Sequence, residues 1–572
     1  MPGNWIHHWH HVAGIYDGEK LKIYVDGALL GEAPCSGDIL DGPYAVNIGK
    51  SSEIIDGHQG YMCHAKIDKV RIFDKTLPIE KLQEDPVSLQ EEANLWLDFE
   101  ESQERGSYYS IGIPGRTYGL VWPDRSVQPE LWQLKKTPQP VQVVAEDLTS
   151  GVLTVRNRHH FKNLDALETQ WTIKADGQVL QQGTLELDIA PREKKTIQVP
   201  FSKPDLQSET RYYLLVQFTL PENTPWAEKG HEVAWEQFEL PWFRHVEQGP
   251  TLPGPPLSVE KADFAITIKG EGFSYVFDTG TGSLVSMDYR GKEMLSKGPG
   301  FNVWRAPLAN DLDAWGIWGT HIGQRKPGMG RNHANGWRSI GLDKLEPALE
   351  DFSVVREYGD LVELSATVSL SSNNYTTVFE VVYNYLISGD GQIEIRVSSA
   401  PHGHMTHWLP KIGLQLQRPE VFNVIDWHGR GPFETYPDRK SGARKGIYQT
   451  TVEDAYVPYI IPQDYGNRTD VHWMSLTSEE GLGLFVSGKE LFNFSVQKYD
   501  PGNLDRSYYA FQLQDSETIT LNLDHLVTGV GCTAISALNK YRVLPEPAEF
   551  SFTLKPFSPE ETSPIELARL KK

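Results

Sequence analysis

The first hundred residues alternate. In HVAGIYDGEKLKIYVDGALLGE (11–32) apolar and polar positions change places step by step, and the run is cut at Asp17-Gly18 and at Asp26-Gly27. A period of two puts one strand face on a core, and Asp-Gly supplies the backbone of a tight hairpin turn, so the stretch predicts strands joined by short turns. YAVNIGKSS and GYMCHAKIDKVRIFDKTL continue the pattern, ANLWLDFEE (93–101) adds a strand, and PIEKLQED is the helix-like piece.

Two further β regions follow. GVLTVRNRHHFKNLDALETQWTIKADGQVLQQGTLELDI alternates with a turn at Ala175-Asp176-Gly177, and RYYLLVQFTL and HEVAWEQFEL add strands. About seven strands in roughly 100 residues predict an immunoglobulin-like sandwich over 134–245. QGPTLPGPPL (248–257) reads as a Pro/Gly-rich linker. Residues 258–560 carry long alternating runs such as ELSATVSLSSNNYTTVFEVVYNYLISGDGQIEIRVSSA, with SGDG as the turn between two of them. This region predicts a very large sandwich without helices. The fold class is therefore all-β.

Composition narrows the partners. A net charge of −22 over 572 residues, with no basic tract, repels phosphate backbones and argues against nucleic acid. The three cysteines, Cys35, Cys63 and Cys532, lie far apart, so no disulfide framework is expected and each is assigned a buried, structural role. No apolar run approaches the length of a membrane span. MPGNWIHHWHHVAG lacks the basic and apolar regions of a signal peptide, so a start further upstream is expected, and periplasmic and cytoplasmic locations both stay open.

Several stretches carry a family resemblance. NVWRAPLANDLDAWG (302–316), DWHGRGPFETYPDRKSGARKGIY (426–448), YIIPQDYGNRTDVHWMSLT (459–477) and HLVTGVGCTAISALNKYRV (525–543) resemble the small-chain, C-terminal domain of glycoside hydrolase family 2 β-galactosidases, a β-supersandwich related to galactose mutarotases. LTVRNRHHFKNLD resembles the immunoglobulin-like domain before it, and YGLVWPDRSVQPELWQLKK the junction that closes the catalytic (β/α)8 barrel. Separately, WHHVAGIYDG, LKIYVDGALLG, AVNIGKS and LWLDFEE resemble a laminin-G-like, concanavalin-type jelly roll that begins here part-way through its strands. The resemblance implies a partial jelly roll over 1–101, a barrel-closing segment over 102–133, an immunoglobulin-like sandwich over 134–245 and the supersandwich over 258–560.

It also bears on chemistry. A retaining glycosidase needs two carboxylates about 5 Å apart, and the family's pair sits on barrel strands outside this chain. No catalytic residue is therefore assigned. A divalent or sodium ion is expected only in the barrel, and calcium in the jelly roll has no acidic cluster behind it. The local carboxylates Glu434 and Asp438 sit beside Arg439, Lys440 and Arg444, which favours ion pairing or turn capping. In HHWHH (His7, His8, His10, His11) alternate residues would face opposite sides of a strand, so a structural role around a buried Trp9 is preferred to a metal site.

Carbohydrate-binding candidates are Trp304, Asn310, Asp311, Trp315, Asn467 and Trp473, because aromatic faces stack on sugars and amides bind hydroxyls. Packing against the barrel is the competing reading for them. In relatives a tryptophan follows the GVG stretch; here Cys532 and Ser536 occupy that neighbourhood, which implies a different aglycone preference. The partners implied are a β-galactoside or other glycan and the catalytic barrel, with homo-oligomers allowed. The reading is the C-terminal part of a β-galactosidase that braces the barrel and shapes the pocket rim, inactive alone; the alternative is a stand-alone carbohydrate-binding protein.

Overall fold

The computed structural model describes residues 8–39, 48, 67–98, 119–122, 124–245, 254–312, 331–372, 377–479, 481–507, 509–532 and 536–570. Two compact units divide the chain: the described residues up to Asp98 belong to the first and those from Gly119 on to the second.

In the first unit Val12–Tyr16, Lys20–Val25 and Ala28–Pro34 form an antiparallel three-stranded sheet. Asp26 and Gly27 take φ of 50° and 80°, the paired left-handed conformation that lets two residues reverse the chain without splaying the strands. Val70–Ile72 pairs with Leu95–Leu97, and Ile79–Glu84 is helical. Arg71 ties this piece together: its guanidinium bonds Asp85 and Asp98 and lies 3.6 Å over the Trp96 ring. Most of YAVNIGKSS, the first part of GYMCHAKIDKVRIFDKTL, His7 and Cys63 lie outside the described residues.

Two local expectations are corrected here. Trp9 is 65% exposed, because the strand starts only at Val12 and the alternation does not reach it. Cys35 is exposed just past the end of the edge strand, and Cys532 in the second unit is exposed as well. Among the histidines, His10 Nδ1 lies 2.7 Å from Asp26 Oδ2, and the His11 backbone N–H donates to Asp26 Oδ1 at 2.9 Å.

The second unit opens on the helix Pro129–Lys136, with proline in its first turn where its missing N–H costs nothing. A seven-stranded sandwich follows. One sheet orders Lys194–Gln198, Val152–Asn157, Val141–Asp147; the other orders Glu232–Glu239, Tyr212–Thr219, Glu168–Ala175, Gln178–Leu185. Val143, Leu153, Val155, Trp171, Ile173, Val216 and Phe218 fill the space between. Asp176 and Gly177 make the predicted hairpin turn, again with left-handed backbone.

The remainder is a twelve-stranded antiparallel sheet with a five-stranded sheet before it in sequence. Strand Leu361–Ser371 shows how it is held: Val362, Leu364, Ala366, Val368 and Leu370 point inward at every second position. Each such aliphatic side chain larger than alanine stabilises the fold by about 1.5–3 kcal/mol relative to exposure. Ser388–Gly391, the predicted SGDG turn, joins Thr377–Ser388 to Ile393–Pro401. Strands approach closely at Gly413, where a Cβ would lie 2.3 Å from the Leu523 carbonyl.

The region is not helix-free as expected. Short helices His333–Ser339 and Pro501–Arg506 interrupt it, and Pro564–Arg569 follows it. The last two begin with an Asp or Ser whose side chain accepts from the third helical N–H, a local cap that needs no long amphipathic run. No described helix is long and apolar enough to cross a membrane.

Candidate functional site

A cavity of about 320 Å³ opens in the second unit between the helix Pro129–Lys136, its preceding turn, and loops of the supersandwich. Trp122, Glu130, Asn310, Asp438, Tyr459 and Val530 are among its walls.

The preceding turn is built locally. Asp124 accepts from Ser126 N–H, Trp122 N–H donates to Ser126 O, and Arg125 takes φ 69°. This presents Trp122 edge-on to Tyr459, with ring centroids 5.6 Å apart. The helix is then locked to the segment 433–442. Trp132 stacks on Phe433 at 5.7 Å, Gln133 Oε1 accepts the Gly442 N–H at 3.0 Å, and Gln133 Nε2 donates to Ser441 Oγ at 2.6 Å.

A charged cluster lies in the wall. The Arg439 guanidinium bonds Glu130 with one nitrogen and Glu434 with the other. Glu434 also accepts from the Tyr459 hydroxyl, and from the Gly466 N–H at 2.8 Å. Burial opposes the charge on Arg439, and Tyr459, Glu434 and Glu130 outweigh it, so the guanidinium stays protonated. Burial, then the Glu434 carboxylate, push the Tyr459 phenol far above its usual range, so it remains a donor. Glu130 is pushed up by burial, with Arg439 pulling the other way. Its Oε1 is bound, whereas the shielded Oε2 has no hydrogen-bond partner, and neither does Arg439 Nε.

Asp438 holds the GVG loop. Its carboxylate accepts the Val530 N–H at 3.0 Å and the Gly531 N–H at 2.7 Å. Gly529 packs so closely on it that a Cβ would sit 2.4 Å from the carboxyl carbon. Glu434 and Asp438 are thus an ion-pair partner and a loop cap, and all four of their oxygens accept hydrogen bonds.

The sequence-derived candidates scatter. Asn310 lines the cavity and donates from Nδ2 to Val530 O at 2.9 Å. Asp311 is buried in an ion pair with Arg305 at 3.1 Å and accepts the Leu308 N–H. Trp304 lies in the core, edge-on to Trp337 at 6.4 Å. Asn467 is buried, exchanging hydrogen bonds with the Thr435 backbone. Trp473 packs with Phe485, Phe557 and Leu567. Both tryptophans therefore have covered rings rather than faces open to a ligand. Strand Arg468–Ser478 is buried on both sides, so alternation along it marks no outward face. Ser536 adopts φ 61° and donates its N–H to Cys532 O at 2.9 Å. Trp315 lies outside the described residues.

Glu130, Trp122 and Tyr459 were not singled out by sequence. Glu130 meets Arg439 across a separation of 309 residues, and only the tertiary fold supplies that contact. Among the described residues no three His, Cys, Asp or Glu converge as a metal site.

Comparison with known proteins places this architecture. The family model described as β-galactosidase small chain matches residues 269–554, that of β-galactosidase domain 4 matches 153–241, and that of the concanavalin A-like lectin/glucanase superfamily matches 6–83. The β-galactosidase of Priestia megaterium is 30% identical over 420 residues, covering 72% of this chain and 38% of that protein. That of Vibrio cholerae is 31% identical over 414 residues, with the same coverages. The chain thus spans about two fifths of the length of the curated relatives it matches. Among solved structures, galactose 1-epimerase from Lactobacillus acidophilus aligns with 53% of this chain and 99% of its own at 11% identity and a TM-score of 0.29. The chain belongs to the β-galactosidase small-chain family.

Proposed function

We propose that this chain is the C-terminal part of a β-galactosidase, bracing a catalytic barrel and supplying part of the rim around a β-galactoside. The observation that carries the reading is the junction at 119–136. There a helix with a tryptophan-bearing turn is fastened to the supersandwich by the Glu130–Arg439–Glu434 cluster and by the Gln133 contacts. Such a fastening fixes the direction in which the preceding segment leaves.

The carboxylates of this cluster are poor catalysts for a retaining mechanism, which needs one of them open to the anomeric carbon. Glu434 is fully buried with both oxygens bonded, and Glu130 shares its arginine. Catalysis is accordingly assigned to a separate barrel.

The test is turnover of a chromogenic β-galactoside by the purified chain, alone and mixed with the barrel-bearing remainder of the Priestia megaterium relative. No turnover alone and turnover in the mixture are expected. Hydrolysis by the chain alone, lost in Glu434→Gln or Asp438→Asn, would overturn the reading.

A further inference from the structure

We infer that the helix Pro564–Arg569 is a releasable clasp that pins the turn end of the immunoglobulin-like sandwich to the supersandwich, with a socket at Trp473, Phe485 and Phe557 as its seat. Strands Arg468–Ser478 and Gly483–Gln497 floor that socket. Their register sets Trp473 opposite Ser487 and Ser475 opposite Phe485, so these four side chains share one face. Leu567 of the helix is 6% exposed and packs there with Trp473, Phe485 and Phe557, and Ile447 lies against the same cluster.

The other end of the clasp grips the second sandwich. The Arg569 guanidinium bonds Asp176, in the hairpin turn at 175–177, and donates to Gln207 Oε1 at 2.6 Å. A Cβ on Gly177 would lie 3.9 Å from Ile447, so the turn rests beside the socket. Away from the turn the two sandwiches meet along strand Glu232–Glu239. There the Gln237 amide bonds both the N–H and the C=O of Lys445, each at 2.8 Å.

Size makes the clasp releasable. Six residues fall well short of the roughly 12–15 at which an isolated helix becomes marginal in water. The capping box of Ser563 and Glu566 satisfies the first turn, and Leu567 is the one buried residue of the helix. The helix therefore forms only when seated, so folding and seating are one event. Its floor, by contrast, belongs to the twelve-stranded sheet. An element with so few apolar contacts opens locally at a lower cost than global unfolding. The clasp thus lifts while both sandwiches stay folded, which frees the turn and leaves the contact at Gln237 as the hinge.

Thiol trapping in the full 572-residue chain is the experiment. Ser475, on the socket floor, is 0% exposed and its hydroxyl has no hydrogen-bond partner, so Ser475→Cys is a conservative reporter. The chain without the reporter gives the background from the native cysteines. The reporter should react with a chromogenic disulfide faster than the chain unfolds globally. Adding Leu567→Ala should speed trapping at least about tenfold, as truncation of a buried leucine implies. Adding Asp176→Asn, in the other sandwich, should speed it about two- to fivefold by taking the charged partner from Arg569. Asparagine keeps the left-handed backbone of that turn, φ 46°, and the socket is untouched, so this acceleration comes through the clasp. Asp176→Asn decides the question alone if Leu567→Ala does not fold. Trapping no faster than global unfolding, or trapping unchanged in either folded variant, overturns the inference.

Discussion

Arg439→Met exposes the energetics of the junction. The Glu434 side chain is 0% exposed and that of Arg439 is 8%, so neither charge has water to fall back on. Replacing arginine leaves Glu434 as a buried carboxylate hydrogen-bonded by the Tyr459 hydroxyl and the Gly466 N–H, with the buried Arg468 as a nearby charge that makes no hydrogen bond to it. Removing one partner of a buried pair costs about 3–5 kcal/mol, against about 0–1 kcal/mol for an exposed one. Glu434→Gln is milder: Arg439 keeps Glu130, and the lost charge-assisted bond is worth about 1.5–3 kcal/mol. The double variant removes the stranded charge as well as its partner. It should be more stable than Arg439→Met alone by about 1 kcal/mol or more, and far from the sum of the single losses. Urea midpoints at pH 7, followed by tryptophan fluorescence with near-ultraviolet circular dichroism to confirm the native fold, give the comparison. Strict additivity, or a cost below about 1 kcal/mol for Arg439→Met, would show that water reaches Glu434 and that the cluster does not hold the helix as argued.

Other positions give independent tests. Burial pushes Asp524 up to about 6 despite Lys411. The unfolded carboxyl ionises near 3.9, so this group's contribution is fully present below about pH 4 and is lost as pH rises toward 6. Asp524→Asn removes that fall, and its stability profile should diverge from wild type between pH 4 and 6; superimposed profiles would refute the assignment. Burial pushes His428, whose Nε2 lies 3.0 Å from the Tyr213 hydroxyl, down to about 4. Its contribution is present above about pH 6.5 and lost as pH falls toward 4, so His428→Gln should soften acid unfolding in the window where Asp524→Asn steepens it. Gly413→Ala drives a methyl to 2.3 Å from a backbone oxygen in the middle of a sheet and should cost at least about 1–3 kcal/mol in thermal or urea unfolding.

What could be read from sequence was local. Asp26-Gly27 and Asp176-Gly177 became turns because two left-handed residues suffice to reverse the chain, and Ser388–Gly391 became one that closes on a left-handed Gly391. Strands such as Leu361–Ser371 were legible because one face is buried more deeply than the other. Legibility ended where both faces are covered. Asn467 and Trp473 were candidates for a carbohydrate-facing rim, yet Asn467 is hydrogen-bonded and Trp473 packed inside. Asp311 was singled out as polar and near aromatics, but a buried arginine claims it. Asn310, one residue earlier, does line the cavity. Glu130 carried no signal, since an acidic residue in a first helical turn is ordinary and its partners lie over 300 residues away.

That separation has a consequence for how the chain is made. Ribosomes add about 5–20 residues per second, so the 309 residues between Glu130 and Arg439 take about 15–60 s to emerge. Through that interval Trp122 and Trp132 lack the Tyr459 and Phe433 rings that pack on them. The junction therefore matures only after residue 459 has emerged, and until then the Trp122 indole, buried in the finished fold, stays unshielded.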